Sequence, residues 1–214
     1  SHGPRHNHTA AYPSHMWFTE LVMAYALTGD AEYLRSAQRV CDNLVFWITD
    51  PHGFEIISCD GREAGQPLIN LTWCYRFLPD PRYLAAIDKV VRACFQAKVE
   101  QHGTLVYLKP REDMPLLRVE GYGEWAAWEG LFWAWELTRE EAYRQLLLSQ
   151  LDWRLTEARM GTTGFFRHCD YNAAAYAYYL TGDPGWLHRV ARPFRTLFRC
   201  VQWPIGYVKS MYFL

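Results

Sequence analysis

The sequence predicts an all-α chain built of about four antiparallel helix pairs. Three observations predict it. A helix–turn–helix signature recurs four times. Apolar residues on both sides of each turn keep helical spacing. The segments joining one pair to the next are longer than the turns inside the pairs.

The first signature is Tyr25-Ala-Leu-Thr-Gly-Asp30-Ala-Glu-Tyr33-Leu34, and the second is Tyr75-Arg-Phe-Leu-Pro-Asp80-Pro-Arg-Tyr83-Leu84. The third, Trp135-Glu-Leu-Thr-Arg-Glu140-Glu-Ala-Tyr143, reads as one residue tighter. The fourth is Tyr178-Tyr-Leu-Thr-Gly-Asp183-Pro-Gly-Trp186-Leu187. Gly29 and Gly182 suit the left-handed position that ends a helix, and the Asp after each suits the cap of the next. Pro81 and Pro184 follow such an Asp at the first helical position, where a missing N–H costs nothing.

Taken in order, the spacing predicts helices over 14–28, 31–49, 63–78, 81–98, 122–138, 140–157, 169–180 and 184–201. Trp125, Trp128, Phe132 and Trp135 mark one apolar stripe, with Trp128 and Trp135 expected in the core. Leu34, Ala37, Cys41, Leu44 and Ile48 mark another, as do Leu84, Ile87, Val91 and Cys94. Gly130 sits in mid-helix, where close approach of a second helix would explain it. Segment 50–61 reads as a linker rich in Gly and strand formers, and the 101–121 linker has room for a short β-hairpin. Residues 1–13 form an N-terminal arm, 14–201 the helical domain and 202–214 a tail.

Composition bounds the function. The net charge is −1 and no long run of one sign occurs, so neither a nucleic acid nor a membrane surface is an expected partner. No apolar run reaches the roughly 20 residues that span a bilayer. Aromatics make up 16% of the chain, enough to supply both a core and platforms for sugar faces. The six Cys form no CxxC pair, and Cys41, Cys74, Cys94 and Cys200 read as buried free thiols. No signal-peptide pattern appears, and Ser1-His2 reads as a tag remnant or a cut from a longer protein. Localisation is left open.

If the helices that follow the long linkers lie side by side, their N-termini share one end. His15 and Trp17 would arrive there with Arg62, Glu63 and Gln66. So would Tyr122, Glu124 and Trp125, and Arg167, His168, Tyr171 and Asn172. Ser14-His15-Met-Trp17-Phe-Thr-Glu20 with the Thr-Gly-Asp30 turn, followed by Gly61-Arg62-Glu-Ala-Gly65 at a second helix start, resembles the α/α-toroid domains of carbohydrate-active enzymes. The nearest are polysaccharide lyases of the exo-rhamnogalacturonan-lyase and YetA-like kind, within the broader six-hairpin glycosidase superfamily. A full toroid of that superfamily has about six or seven pairs, so four imply an incomplete toroid. Its open end invites a homodimer or a missing domain.

The resemblance implies an acidic carbohydrate as partner and β-elimination beside a uronate as the reaction. Elimination needs a group that neutralises the carboxylate, a base, and an acid for the leaving oxygen. Arg62, Arg167 and Asn172 suit the first role; His15, Tyr122, His168 and Tyr171 suit the others. Trp17 and Trp125 suit sugar stacking, and Glu63 and Gln66 further contacts. A glycoside hydrolase is the alternative; it needs paired carboxyls, for which Glu63, Glu124 and Asp170 are available. No cofactor is expected. A divalent metal on His6, His8 and His15 is a further option, although their spacing fits no known zinc pattern. A non-catalytic helical-repeat scaffold is the reading from another class, against which the unequal linkers stand.

Overall fold

A computed structural model describes residues 18–57, 61–102, 121–156 and 168–189. The described residues are all-helical, with no strand. The helices are α1 (Thr19–Thr28), α2 (Ala31–Thr49), α3 (Pro51–Ile57), α4 (Gly61–Tyr75), α5 (Pro81–Val90), α6 (Ala97–His102), α7 (Gly121–Thr138), α8 (Glu141–Thr156) and α9 (His168–Thr181). A π-helical segment, Val91–Gln96, joins α5 to α6 without a break. A last helical turn covers 185–189.

Three of the expected pairs, α1–α2, α4–α5 and α7–α8, are present, α9 opens the fourth, which is described as far as residue 189, and local chemistry explains the turns. At the α1–α2 turn, Gly29 takes φ +73° and its N–H reaches the Tyr25 carbonyl at 2.8 Å. Asp30 then accepts from the Glu32 amide at 2.9 Å. Asp80 caps α5 in the same way through the Arg82 amide at 2.8 Å, with Pro81 at the first position. The third turn is not tighter than the others. Arg139 occupies the glycine position with φ 58°, and its N–H reaches the Trp135 carbonyl at 2.7 Å. In three of the turns a threonine is the hinge pin. Thr28, Thr138 and Thr181 each donate to a carbonyl one turn back and accept from the amide two residues on.

Segment 50–61 corrects the sequence reading, because Pro51–Ile57 is helix α3 and not a linker of strand formers. The reason is the same Asp-Pro start found at the pair turns. Asp50 accepts from the Gly53 amide at 2.8 Å, with Pro51 next in line. Gly53 lets α3 fold back on α2, since a Cβ there would lie 2.5 Å from the Trp47 carbonyl oxygen. The hairpin expected in 101–121 falls on residues outside the described ones, apart from the helical Gln101 and His102 and the Gly121 that opens α7.

Side-chain bonds link the second helices, α2 to α5 and α5 to α8. The Tyr83 hydroxyl donates to Asp42 on α2 at 3.3 Å, and the Tyr143 hydroxyl donates to Asp88 on α5 at 2.7 Å. Arg82 joins Asp42 at 2.9 Å, and Arg92 bridges Asp88 and Glu140. Exposed ion pairs of this kind add little each. The apolar core beneath does more. Leu44, Ile48, Leu68, Ile87, Trp128 and Leu147 are fully buried, each worth about 1.5–3 kcal/mol. Trp128 is core as expected, but Trp135 is only half-buried, its ring covered by the Arg139 guanidinium at 4.5 Å. Cys41, Cys74 and Cys94 are buried and form no disulfide. Burial, reinforced by neighbouring Cys74, pushes the Cys41 thiol far up, so it stays protonated and inert.

Candidate functional site

Three of the first helices of the pairs, α4, α7 and α9, run parallel. Between α4 and α7 the backbones touch. A Cβ on Gly65 would lie 2.2 Å from the Ala126 carbonyl carbon, and one on Gly130 would lie 2.8 Å from the Gly65 oxygen. Further along, Trp73 meets Trp133 with ring centroids 5.1 Å apart. Residue numbers therefore rise together on the two helices. Between α7 and α9, Phe132 stacks on Tyr176 at 4.6 Å, and the Tyr179 hydroxyl donates to Glu136 at 3.0 Å. That pair is parallel too, so the N-termini of α4, α7 and α9 lie at one end.

Small residues permit this packing. Gly65 on α4 faces Ala126, Ala127 and Gly130 on α7, all buried. Pro67 inside α4 costs one helix hydrogen bond, an expense the surrounding packing offsets.

Against this apolar background stands a set of buried polar groups. Glu63 (4% exposed), Gln66 (2%) and Asn70 (0%) follow one another on α4 at helical spacing. Glu129 (6%) lies in mid-α7, and Asn172 (3%) and Tyr176 (5%) lie one turn apart on α9. Polar groups buried so deeply cost free energy unless they bond to one another or to a ligand. The Gln66 amide donates to Asn70 Oδ1 at 3.4 Å. Burial, and secondarily the charge of Glu129, push the Tyr176 hydroxyl well above its ordinary range. Tyr176 is therefore a hydrogen-bond donor at neutral pH and not a base.

Of the residues expected at the site, Arg62, Glu63 and Gln66 share the first turns of α4, and Asn172 stands in the second turn of α9. Tyr122, Glu124 and Trp125 fall in the opening turns of α7, and His168 and Tyr171 in the first turn of α9; only their backbone positions are described. His15, Trp17 and Arg167 lie outside the described residues, as do His6 and His8 of the metal alternative. Among the described residues no three His, Cys, Asp or Glu side chains gather as a metal would require. No protein family, curated protein or solved structure matches this chain. Among the described residues no helix is long and apolar enough to cross a membrane.

Sequence reasoning missed Asn70, Glu129 and Tyr176 as site members. Their signal was present as spacing. Asn70 follows Gln66 by four residues, Tyr176 follows Asn172 by four, and Glu129 interrupts the most aromatic helix of the chain.

Proposed function

We propose that the chain is a carbohydrate-active domain, an incomplete α/α toroid whose site is the polar set on α4, α7 and α9, and that it cleaves a uronic-acid-containing saccharide by β-elimination. The observation that carries this reading is the burial of Glu63, Gln66, Asn70, Glu129, Asn172 and Tyr176 on three parallel helices that share one end. Elimination removes the proton next to the carboxylate, forms a carbon–carbon double bond and expels the glycosidic oxygen, which takes up a proton. Arg62 and Asn172 are suited to hold the carboxylate. His15, His168 or Tyr171 would take the proton. Tyr176, kept protonated by burial and Glu129, is suited to donate to the leaving oxygen.

One observation favours a second reading. Glu63 and Glu129 are both buried carboxyls on adjacent, touching helices, and a glycoside hydrolase works through a pair of carboxyls. Incubation with uronic-acid polymers separates the two. Elimination gives new ultraviolet absorbance from the unsaturated product, and Tyr176→Phe should lower its rate roughly a hundredfold or more. New reducing ends without absorbance support hydrolysis. No turnover of any glycan by the folded protein would sink both.

A further inference from the structure

The opposite, C-terminal end of α4 and α7 carries a cluster that the polar set does not use. Trp73 and Trp133 meet at 64° between ring planes. The Arg76 guanidinium lies over both rings, 5.2 and 5.0 Å from their centroids. Both indoles are half-buried and Arg76 is exposed. The Trp133 Nε1–H is buried and has no hydrogen-bond partner among the described residues.

Arg76 also differs from seven other arginines in what meets its charge. Arg35, Arg39, Arg82, Arg92, Arg139, Arg144 and Arg189 each pair with a carboxylate. Arg76 makes no ion pair among the described residues; only ring faces meet its charge. A planar cation beside two indoles matches a ligand with one flat apolar face and one carboxylate. Nearby helix C-termini oppose an anion with about half a charge each. The full guanidinium charge, delivered through two parallel N–H bonds, outweighs them.

We propose that Trp73, Arg76 and Trp133 form a binding subsite for an acidic sugar residue, the indoles taking the C–H face of its ring and Arg76 its carboxylate. The proposal rests on the uronate reading above and extends it along the helices. Glu63, Gln66, Asn70 and Trp73 follow one another on one stripe of α4, and Trp133 stands one turn beyond Glu129 on α7. From Glu63 to Trp73 the helix rises about 15 Å. The two clusters are thus separated along α4 by about the span of an oligomer of several residues.

The test is calorimetric titration of the wild-type chain, Arg76→Gln and Trp73→Ala with a defined oligouronate and with the same oligomer after reduction of its carboxyls. Thermal melts confirm that each variant is folded. Arg76→Gln should weaken oligouronate binding roughly tenfold or more and leave the reduced oligomer unaffected. Trp73→Ala should weaken both. Equal affinities for Arg76→Gln and wild type, an equal loss for both oligomers, or no binding at all would overturn the subsite. Product formation on the polymer is followed in parallel. Turnover without dependence on Arg76 removes the subsite and keeps the reaction. Arg76-dependent binding without turnover keeps the subsite and removes the reaction.

Discussion

Two first helices, α4 and α7, and two second helices, α2 and α5, bury themselves in opposite ways. The second helices α2 and α5 are one-sided. Their apolar stripes, Ala37, Cys41, Leu44 and Ile48 on α2 and Tyr83, Ala86, Ile87 and Val90 on α5, are buried, and their outer faces carry charges. The first helices α4 and α7 are enclosed on nearly every side. On α4 each residue from Glu63 to Thr72 is buried. A helix of the first kind is held by an apolar stripe and can vary outside it. A helix of the second kind has no free face, so its small residues and polar groups are both committed.

The largest expected effect probes that contrast directly. Gly65→Ala puts a methyl 2.2 Å from the Ala126 carbonyl carbon and 2.4 Å from the Ala127 nitrogen. Both are backbone atoms, so α4 and α7 must separate. A loss of about 3 kcal/mol is expected in urea unfolding, at the upper end of overpacking costs. A loss well under about 1 kcal/mol would mean that the two helices are not in backbone contact.

Removing a link between second helices should cost less. Tyr143→Phe deletes the 2.7 Å bond to Asp88, and about 1 kcal/mol is expected at neutral pH. The same variant has a pH signature. Burial, then the bond to Asp88, raise the Tyr143 hydroxyl above its ordinary value, so the folded chain holds this proton more tightly than the unfolded chain. Tyr83 and Tyr176 are raised as well, both chiefly by burial. Stability should be complete below pH of about 10, where unfolded tyrosine begins to ionise, and should fall as pH rises beyond it. Unfolding free energies measured across that range should decline less steeply for Tyr143→Phe; an unchanged slope would exclude the Tyr143 contribution.

The smallest effect is expected at the third turn. Arg139→Gly relieves a left-handed backbone worth about 1–2 kcal/mol to a residue with a Cβ. It also loses an ion pair to Glu136 at 2.8 Å and the contact over Trp135, and it frees the unfolded chain. These oppose one another, so a net change within about 0.5 kcal/mol is expected in the same unfolding assay. A larger stabilisation would show that the strain outweighs the contacts.

The same contrast explains what was legible beforehand. The second helices and their caps were readable because Asp30, Asp80 and the apolar stripes act within a turn or two of chain. The start of helix α3 is legible as well, since Asp50-Pro51 repeats the Asp80-Pro81 start, but Phe54, Ile56 and Ile57 after it have strand propensity, which the cap and the packing on α2 override. On the first helices, Glu63, Gln66 and Asn172 were found at the N-terminal end, and Gly130 was found as a point of close packing. Asn70, Glu129 and Tyr176 were not, because periodicity on an enclosed helix does not say which neighbour each side meets.

By itself the sequence determined the helix pairs, their turns and the polarity of each outer face. These follow from caps, backbone freedom at Gly29 and Gly182, and spacing along one helix, all of them local. Only the tertiary structure decided that α4 and α7 touch at Gly65 and Gly130 in parallel register. That register buries Glu63 and Glu129 and brings Trp73, Arg76 and Trp133 together at the other end. It depends on how two surfaces far apart in the chain interlock, and that fit is set by the shape of both at once.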